Sequence, residues 1–312
     1  MSETTVTDSY LKYPHRRYGM DHDRYEWSML ADRPKISWPD NRLLALWVNV
    51  PLQYFPLNQR GEPFKVPGGM TMPYPDLRHY SLRDYGNRVG VYRFFSAFDA
   101  YGITPTYAVN TRLAERTPYL MSALKERNEE ILCHGLHMDA LHYGEQDKSQ
   151  EAEQIKQALT GLREITDQEI SGWLSPAKNQ SMNTPDLLAE QGIHYMCDWV
   201  NDDMPYFFKT ATDPLISMPL STELEDRFVI QNNLHSEESW AEQICDACDY
   251  LINEARESGG RVLALNIHPW LLGQPHRIGY LEQVLAYLSA KTEVWSASAG
   301  RIAAHWEHQQ TS

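Results

Sequence analysis

Short apolar runs alternate along this chain with longer amphipathic stretches, and the alternation predicts the architecture. The runs Leu43 to Val50, Pro105 to Val109, Glu130 to Cys133, Ile170 to Leu174, His194 to Cys197, Arg261 to Ile267 and the pair Val294-Trp295 read as strands with little exposed surface. Between them, apolar residues recur at helical spacing over about 87–101, 111–127, 149–165, 183–191, 237–257, 277–289 and 298–306. Repeated strand–helix units of this kind favour parallel strands covered by helices. Two stretches break the rhythm. Residues 51–85 form a Pro/Gly-rich excursion containing Pro67-Gly68-Gly69 and Met72-Pro73-Tyr74-Pro75, and an excursion of that length is usually functional. Residues 206–235 read as short β pieces. Residues 1–42 are polar and aromatic without a period, which predicts an arm that wraps the domain or a neighbouring subunit. The expected organisation is an arm, 1–42, and a single α/β domain, 43–312.

Composition narrows the function. With 312 residues and a hydrophobic fraction of 42%, the chain can bury a sizeable core. A net charge of −14 argues against nucleic acid or an anionic membrane surface as partner. No apolar run reaches the roughly 18 residues of a membrane span. The polar stretch Met1 to Tyr13 lacks an apolar signal core, so a cytoplasmic location is expected. Four cysteines make no disulfide framework. Cys245 and Cys248 form a C-x-x-C on a helical segment and read as ordinary helix cysteines; Cys133 and Cys197 read as small core residues. The G-x-S-x-G elbow, the P-loop and the G-x-G-x-x-G fingerprint are absent, which removes the commonest serine-hydrolase and nucleotide-binding readings.

The chemistry-bearing residues concentrate at two strand ends. Cys133-His134-Gly135-Leu136-His137-Met138-Asp139-Ala140-Leu141-His142 follows one apolar run, and His268-Pro269-Trp270 follows another. Parallel strands bring such ends together, where α/β proteins place their sites. His134 and His268 are therefore expected to share a pocket, separated by one substrate width, on the order of 10 Å. Separate, satisfied loop histidines are the competing reading. Asp139 either orients an imidazole or caps a turn. His137 and His142 are substrate contacts or surface residues, and Trp270 is a pocket wall. Asp202 and Asp203 either meet substrate amide hydrogens or form a solvated turn. Gln53, beyond the first strand, is a further candidate contact. The run Arg83-Asp84-Tyr85-Gly86-Asn87-Arg88 reads as a surface ion-pair cluster, with a positioning set for an anionic group as the alternative.

These pieces, in this order, resemble the polysaccharide deacetylase superfamily over roughly 43–306. The matching segments are Leu43–Val50, the strand ending at His134, Gly172-Trp173-Leu174-Ser175-Pro176 and Leu265-Asn266-Ile267-His268. The resemblance implies a distorted or incomplete (β/α) barrel. More narrowly, the chain is similar to the branch of cofactor-independent allantoinases and cyclic imide hydrolases. The strings that carry this are Tyr85-Gly86-Asn87-Arg88-Val89-Gly90, Asn201-Asp202-Asp203-Met204-Pro205-Tyr206 and Gly273-Gln274-Pro275-His276-Arg277-Ile278, together with His134-Gly135. Metal-dependent relatives place two aspartates after the first strand; here the position reads Asn49-Val50-Pro51-Leu52-Gln53. Their second ligand histidine is replaced by Met138, and the arginine that braces the catalytic aspartate, due near Leu174, is missing as well. Thioether and proline do not replace imidazole and carboxylate on a hard or borderline cation. Pro51, Leu52 and Met138 are thus expected around the vacated metal position.

The expected function is hydrolysis of a non-peptide C–N bond in a small cyclic amide, imide or ureide, without a cofactor, by a homo-oligomer. In this reading His134 activates water, His268 stabilises the oxyanion or protonates the leaving nitrogen, and Asp139 orients an imidazole. A free-histidine pKa near 6.5 would make activity rise across roughly pH 6 to 7.5. One alternative is a carbohydrate or amino-sugar N-deacetylase with one divalent metal, zinc by its chemistry, on a rearranged cluster of His134, His137, Asp139 and His142. Another is an inactive relative that binds a small ligand.

Overall fold

The computed structural model describes residues 22–58 and 75–311. Nine strands form one sheet: β1 Leu44–Leu52, β2 Pro105–Val109, β3 Glu130–Cys133, β4 Gly172–Trp173, β5 Tyr195–Met196, β6 Tyr206–Phe208, β7 Leu215–Ser217, β8 Arg261–Asn266 and β9 Val294–Ser296. Their order is β6-β7-β5-β4-β3-β2-β1-β8, with β9 paired to β1. Every pairing is parallel except β6 with β7. β1 is the axis of the sheet. Its residues Leu44 to Asn49 pair with β8 on one edge; on the other edge Leu44 to Leu46 pair with β9 and Val48 to Leu52 with β2. All nine residues of β1 are buried, which explains the unbroken apolar reading of that run. The result is the incomplete (β/α) barrel that the sequence implies.

Helices α1 Leu77–Tyr85, α2 Val91–Tyr101, α3 Thr111–Arg116, α4 Pro118–Glu126, α5 Lys148–Thr166, α6 Thr184–Glu190, α7 Glu237–Ser258, α8 Ile278–Ser289 and α9 Ala299–Thr311 complete the fold. Local signals set their limits. Asp147 accepts the backbone N–H groups of Ser149 and Gln150 at the start of α5, and Ser236 accepts that of Ser239 at the start of α7. Trp47, Trp173, Trp240, Phe94 and Phe98 are fully enclosed. Burial of each such side chain contributes roughly 1.5–3 kcal/mol. Cys133 and Cys248 are buried free thiols, each pushed up to about 12 by burial, as expected of packing residues.

Two wide, π-helical turns interrupt the helical layer, at Gly86–Gly90 between α1 and α2, and at Arg227–Asn232. Such turns recur at functional sites. The first packs where only glycine fits: a Cβ on Gly86 would lie 2.6 Å from the Trp270 nitrogen, and one on Gly90 would lie 2.0 Å from the Pro269 oxygen. The second falls in 206–235, so that stretch is not β throughout. It holds β6 and β7 and then this turn, because Asp226 caps Arg227 and redirects the chain.

Residues 22–42 lie on the barrel surface. Arg24 forms a two-pronged pair with Asp186, Arg33 does the same with Asp202, and Trp38 donates its ring N–H to the Arg261 carbonyl at 2.8 Å. Residues 1–21 of the arm, and most of the Pro/Gly-rich excursion, including Pro67-Gly68-Gly69 and Met72-Pro73-Tyr74, lie outside the described residues.

Candidate active site

Parallel strands end together, and the residues just beyond those ends line one cavity of about 410 Å³. β1 supplies Pro51 and then Gln53, β3 leads to His134, β4 to Leu174 and Lys178, and β5 to Asp198. Glu225 and Arg227 follow β7, while Asn266 ends β8 just before His268. Phe55, Arg83, Met138 and Asp139 complete much of the wall. His134 and His268, each 2% exposed, therefore face a common pocket.

Their partners differ. His134 Nδ1 lies 2.7 Å from the Leu174 carbonyl oxygen, an acceptor, so Nδ1 carries the hydrogen. Its Nε2 lies 3.3 Å from the Gln53 side-chain nitrogen. Burial pushes this imidazole down to about 4, against the opposing pull of the Leu174 carbonyl, so it is neutral at neutral pH. Burial in a desolvated wall thus puts this ring below the range of pH 6 to 7.5 over which activity was expected to rise. His268 Nδ1 instead lies 2.7 Å from Asp226 Oδ1, and the other carboxylate oxygen accepts the His268 backbone N–H at 2.7 Å. Asp226 is fully buried. A carboxylate in this position fixes the orientation of the ring, leaving Nε2 for the cavity.

Around the imidazoles stand the cationic side chains Arg83, Lys178 and Arg227, and the carboxylate of Glu225 meets the last two. Arg227 Nε donates to Glu225 Oε1 at 2.8 Å, and Lys178 Nζ lies 4.0 Å from Glu225 Oε2. Lys178 also donates to the Leu220 carbonyl at 2.9 Å. Glu225 Oε2 accepts from Asn266 at 3.1 Å, and Asn266 Oδ1 accepts from Asn49 at 2.7 Å. Glu225, from the segment after β7, is thus linked through Asn266 to Asn49 of β1. Arg83 lies with its guanidinium 3.4 Å from the Trp270 ring centre and 5.2 Å from that of Phe55. Burial, and then the charge of Arg227, lower its pKa. Ala177 and Lys178 both adopt left-handed backbone, with φ of 59° and 56°. Strain of about 1–3 kcal/mol at a non-glycine residue is typical of functional segments.

Several sequence expectations change. Asp139 lines the cavity, while the Leu174 carbonyl and Asp226 hold the Nδ1 positions of His134 and His268. His137 lies outside the cavity wall and accepts the Asp139 backbone N–H at 3.2 Å. His142 is buried behind the wall, 3.3 Å from Glu151, a carboxylate that also accepts from Ser181 and Thr184. Trp270 backs Arg83 instead of lining the cavity. Asp202 is bound to Arg33 of the arm, and Asp203 is exposed beside it. Leu52 belongs to the apolar core, whereas Pro51 and Met138 do line the cavity with His134. The Arg83–Arg88 run splits: Arg88 and Asp84 form an exposed pair, but Arg83 is buried in the wall and Asn87 donates to the Gln53 carbonyl.

The residues missed by sequence reasoning are Lys178, Asp198, Glu225, Asp226 and Arg227, whereas Arg83 had been weighed as part of a positioning set. One signal was available: three consecutive charges, Glu225-Asp226-Arg227, run directly into the apolar Phe228-Val229-Ile230. A metal fits this donor set poorly. Among the described residues, no group of three or more His, Cys, Asp or Glu side chains converges to hold an ion. The His134, His137, Asp139 and His142 cluster is dispersed, because His142 turns inward to Glu151.

Comparison with known proteins agrees with the geometry. The polysaccharide deacetylase family model matches residues 80–196. A Schizosaccharomyces pombe relative, described provisionally as a polysaccharide deacetylase, is 23% identical over 301 residues, covering 86% of this chain and 92% of its own. The solved structure of Puue allantoinase superposes with a TM-score of 0.79 at 25% identity, covering 90% of this chain and 96% of that one. A Pseudomonas aeruginosa PAO1 structure, likewise described provisionally as a polysaccharide deacetylase, gives 0.76 at 26% identity, over 89% and 95%.

Proposed function

We propose that this chain, similar to the polysaccharide deacetylases in family match and to an allantoinase in its barrel, hydrolyses a C–N bond in a small cyclic amide, imide or ureide. One observation carries the reading. An imidazole–carboxylate pair, His268–Asp226, opens into the same enclosed cavity as the neutral imidazole of His134 and the cations Arg83, Lys178 and Arg227. That set serves ring opening by water. The cations polarise the ring carbonyl and hold the oxyanion, commonly the largest contribution in acyl transfer. His268 Nε2 takes a proton from the attacking water, with Asp226 stabilising the imidazolium. It then returns the proton to the ring nitrogen as the C–N bond breaks. The products are a carboxylate and an amine or amide nitrogen on one opened chain. The neutral His134, through Nε2, and Glu225 accept ring N–H groups and orient the substrate. In this reading the base role expected of His134 passes to His268.

A second reading, N-deacetylation of an amino sugar, draws on the family match over 80–196. A panel of hydantoins, succinimides, allantoin and N-acetyl amino sugars, assayed with and without chelator, separates the two. Ring opening that persists in chelator supports the proposal. Acetate release from amino sugars alone would overturn it.

A further inference from the structure

The peptide unit joining Leu174 to Ser175 is gripped at both ends. Its carbonyl oxygen accepts His134 Nδ1–H at 2.7 Å, and its N–H donates to Asp198 Oδ1 at 2.7 Å. Asp198 Oδ2 accepts from Ser175 Oγ at 2.7 Å and from Gln180 at 2.5 Å. Ser175 Oγ in turn accepts the Trp173 ring N–H at 2.8 Å. His134, Leu174, Ser175 and Asp198 are all buried. We infer that Asp198 is a positioning residue that acts on His134 through this peptide, a carboxylate–peptide–imidazole relay that fixes the Nδ1–H tautomer and keeps the Nε2 lone pair on the cavity side.

The physical basis is cooperative. An amide whose N–H donates to a carboxylate is polarised, and its carbonyl becomes a stronger acceptor, by about 10–30% per linked bond. Charge-assisted bonds are also the strong ones. Interposing a peptide differs from placing a carboxylate directly on the ring, as Asp226 does for His268. It transmits orientation without setting a full negative charge against the imidazole. The relay also gives a use to Ser175, which follows a strand of only two residues, and to the Asp198 side chain, whose oxygens are taken by three protein donors.

The inference rests on the cavity being the substrate site, but its structural half can be tested without a substrate. In protein labelled uniformly with nitrogen-15 and carbon-13, at fixed pH 7.5, His134 should show one tautomer, with a protonated Nδ1 and an unprotonated Nε2. The Ser175 amide proton should lie far downfield and show scalar coupling across its hydrogen bond to Asp198. Asp198→Asn should mix the two tautomers and raise the KM of ring opening up to about tenfold, the worth of one bond to a charged group, with kcat changed less than threefold. Ser175→Ala, which keeps the peptide N–H, should keep the single tautomer. A folded Asp198→Asn protein with the same single tautomer would overturn the relay, whatever its melting temperature. If that variant does not fold, the unmutated spectrum decides: an ordinary Ser175 amide shift without coupling would overturn it. Absence of ring-opening activity with the predicted tautomer present would instead count against the proposed reaction alone.

Discussion

Two histidines at the ends of β3 and β8 look equivalent along the chain and are not equivalent in the fold. His134 donates to a peptide carbonyl in a desolvated wall and is held neutral; His268 leans on a fully buried carboxylate. The ring is the same, and in the proposed reaction its partner decides whether it orients a substrate or carries a proton. The partner of His268 comes from more than forty positions earlier, on a segment with no strand or helix periodicity of its own.

The largest expected effect lies on the β8 side. His268→Ala and Asp226→Asn should each lower kcat for ring opening by a hundredfold or more, the usual worth of a positioned acid–base group, with much smaller changes in KM. Steady-state kinetics on the responsive member of the substrate panel check this. His134→Ala should cost about tenfold, the value of one or two hydrogen bonds to substrate, and should fall mainly on KM. If His134→Ala proves the more damaging change, the two histidines must exchange roles.

A pH experiment sharpens the contrast through stability. The folded-state pKa of His134, about 4, lies below the ordinary value near 6.5. The unfolded chain therefore binds the proton more readily. The contribution of this residue is complete above about pH 6.5 and is lost as pH falls from there through 4, amounting to at most about 3 kcal/mol. Urea unfolding of the parent and of His134→Gln between pH 7.5 and 4 should show the parent losing more stability. Parallel pH profiles would contradict the burial argument.

Two smaller effects test the residues that the fold withdrew from the cavity. His142→Ala removes the imidazole beside a buried Glu151 and should destabilise the protein by about 1–3 kcal/mol while the folded fraction keeps its kcat. Trp270→Phe narrows the stack beneath Arg83 and should raise KM by a few-fold, in keeping with about 1 kcal/mol for a cation–π contact. Thermal unfolding and kinetics on the same preparations distinguish the two.

How much of this was legible beforehand follows from the kinds of signal involved. Buried parallel strands announce themselves as short apolar runs, so β1, β3 and β8 were placed within a residue or two, and with them Gln53, His134 and His268 at one end of the barrel. Most helices followed from their spacing, but Leu77–Tyr85 lies in the stretch read as an excursion. What was not legible depends on long-range pairing. Nothing local says that Asp226 meets His268, that Asp202 serves the arm through Arg33, or that His142 turns inward to Glu151. Arg83 was read as surface because charged residues usually are; its burial depends on the Gly86–Gly90 turn bringing Trp270 under it. Lys178 sits on left-handed backbone that only the folded loop reveals.

The most direct test of the account is single-turnover ring opening of a hydantoin, a succinimide and allantoin by the parent protein, by Asp226→Asn and by His134→Ala, in the presence of chelator. The account predicts turnover of at least one ring by the parent, a loss of a hundredfold or more in Asp226→Asn and about tenfold in His134→Ala. An Asp226→Asn protein within threefold of the parent on a ring that the parent opens would contradict it.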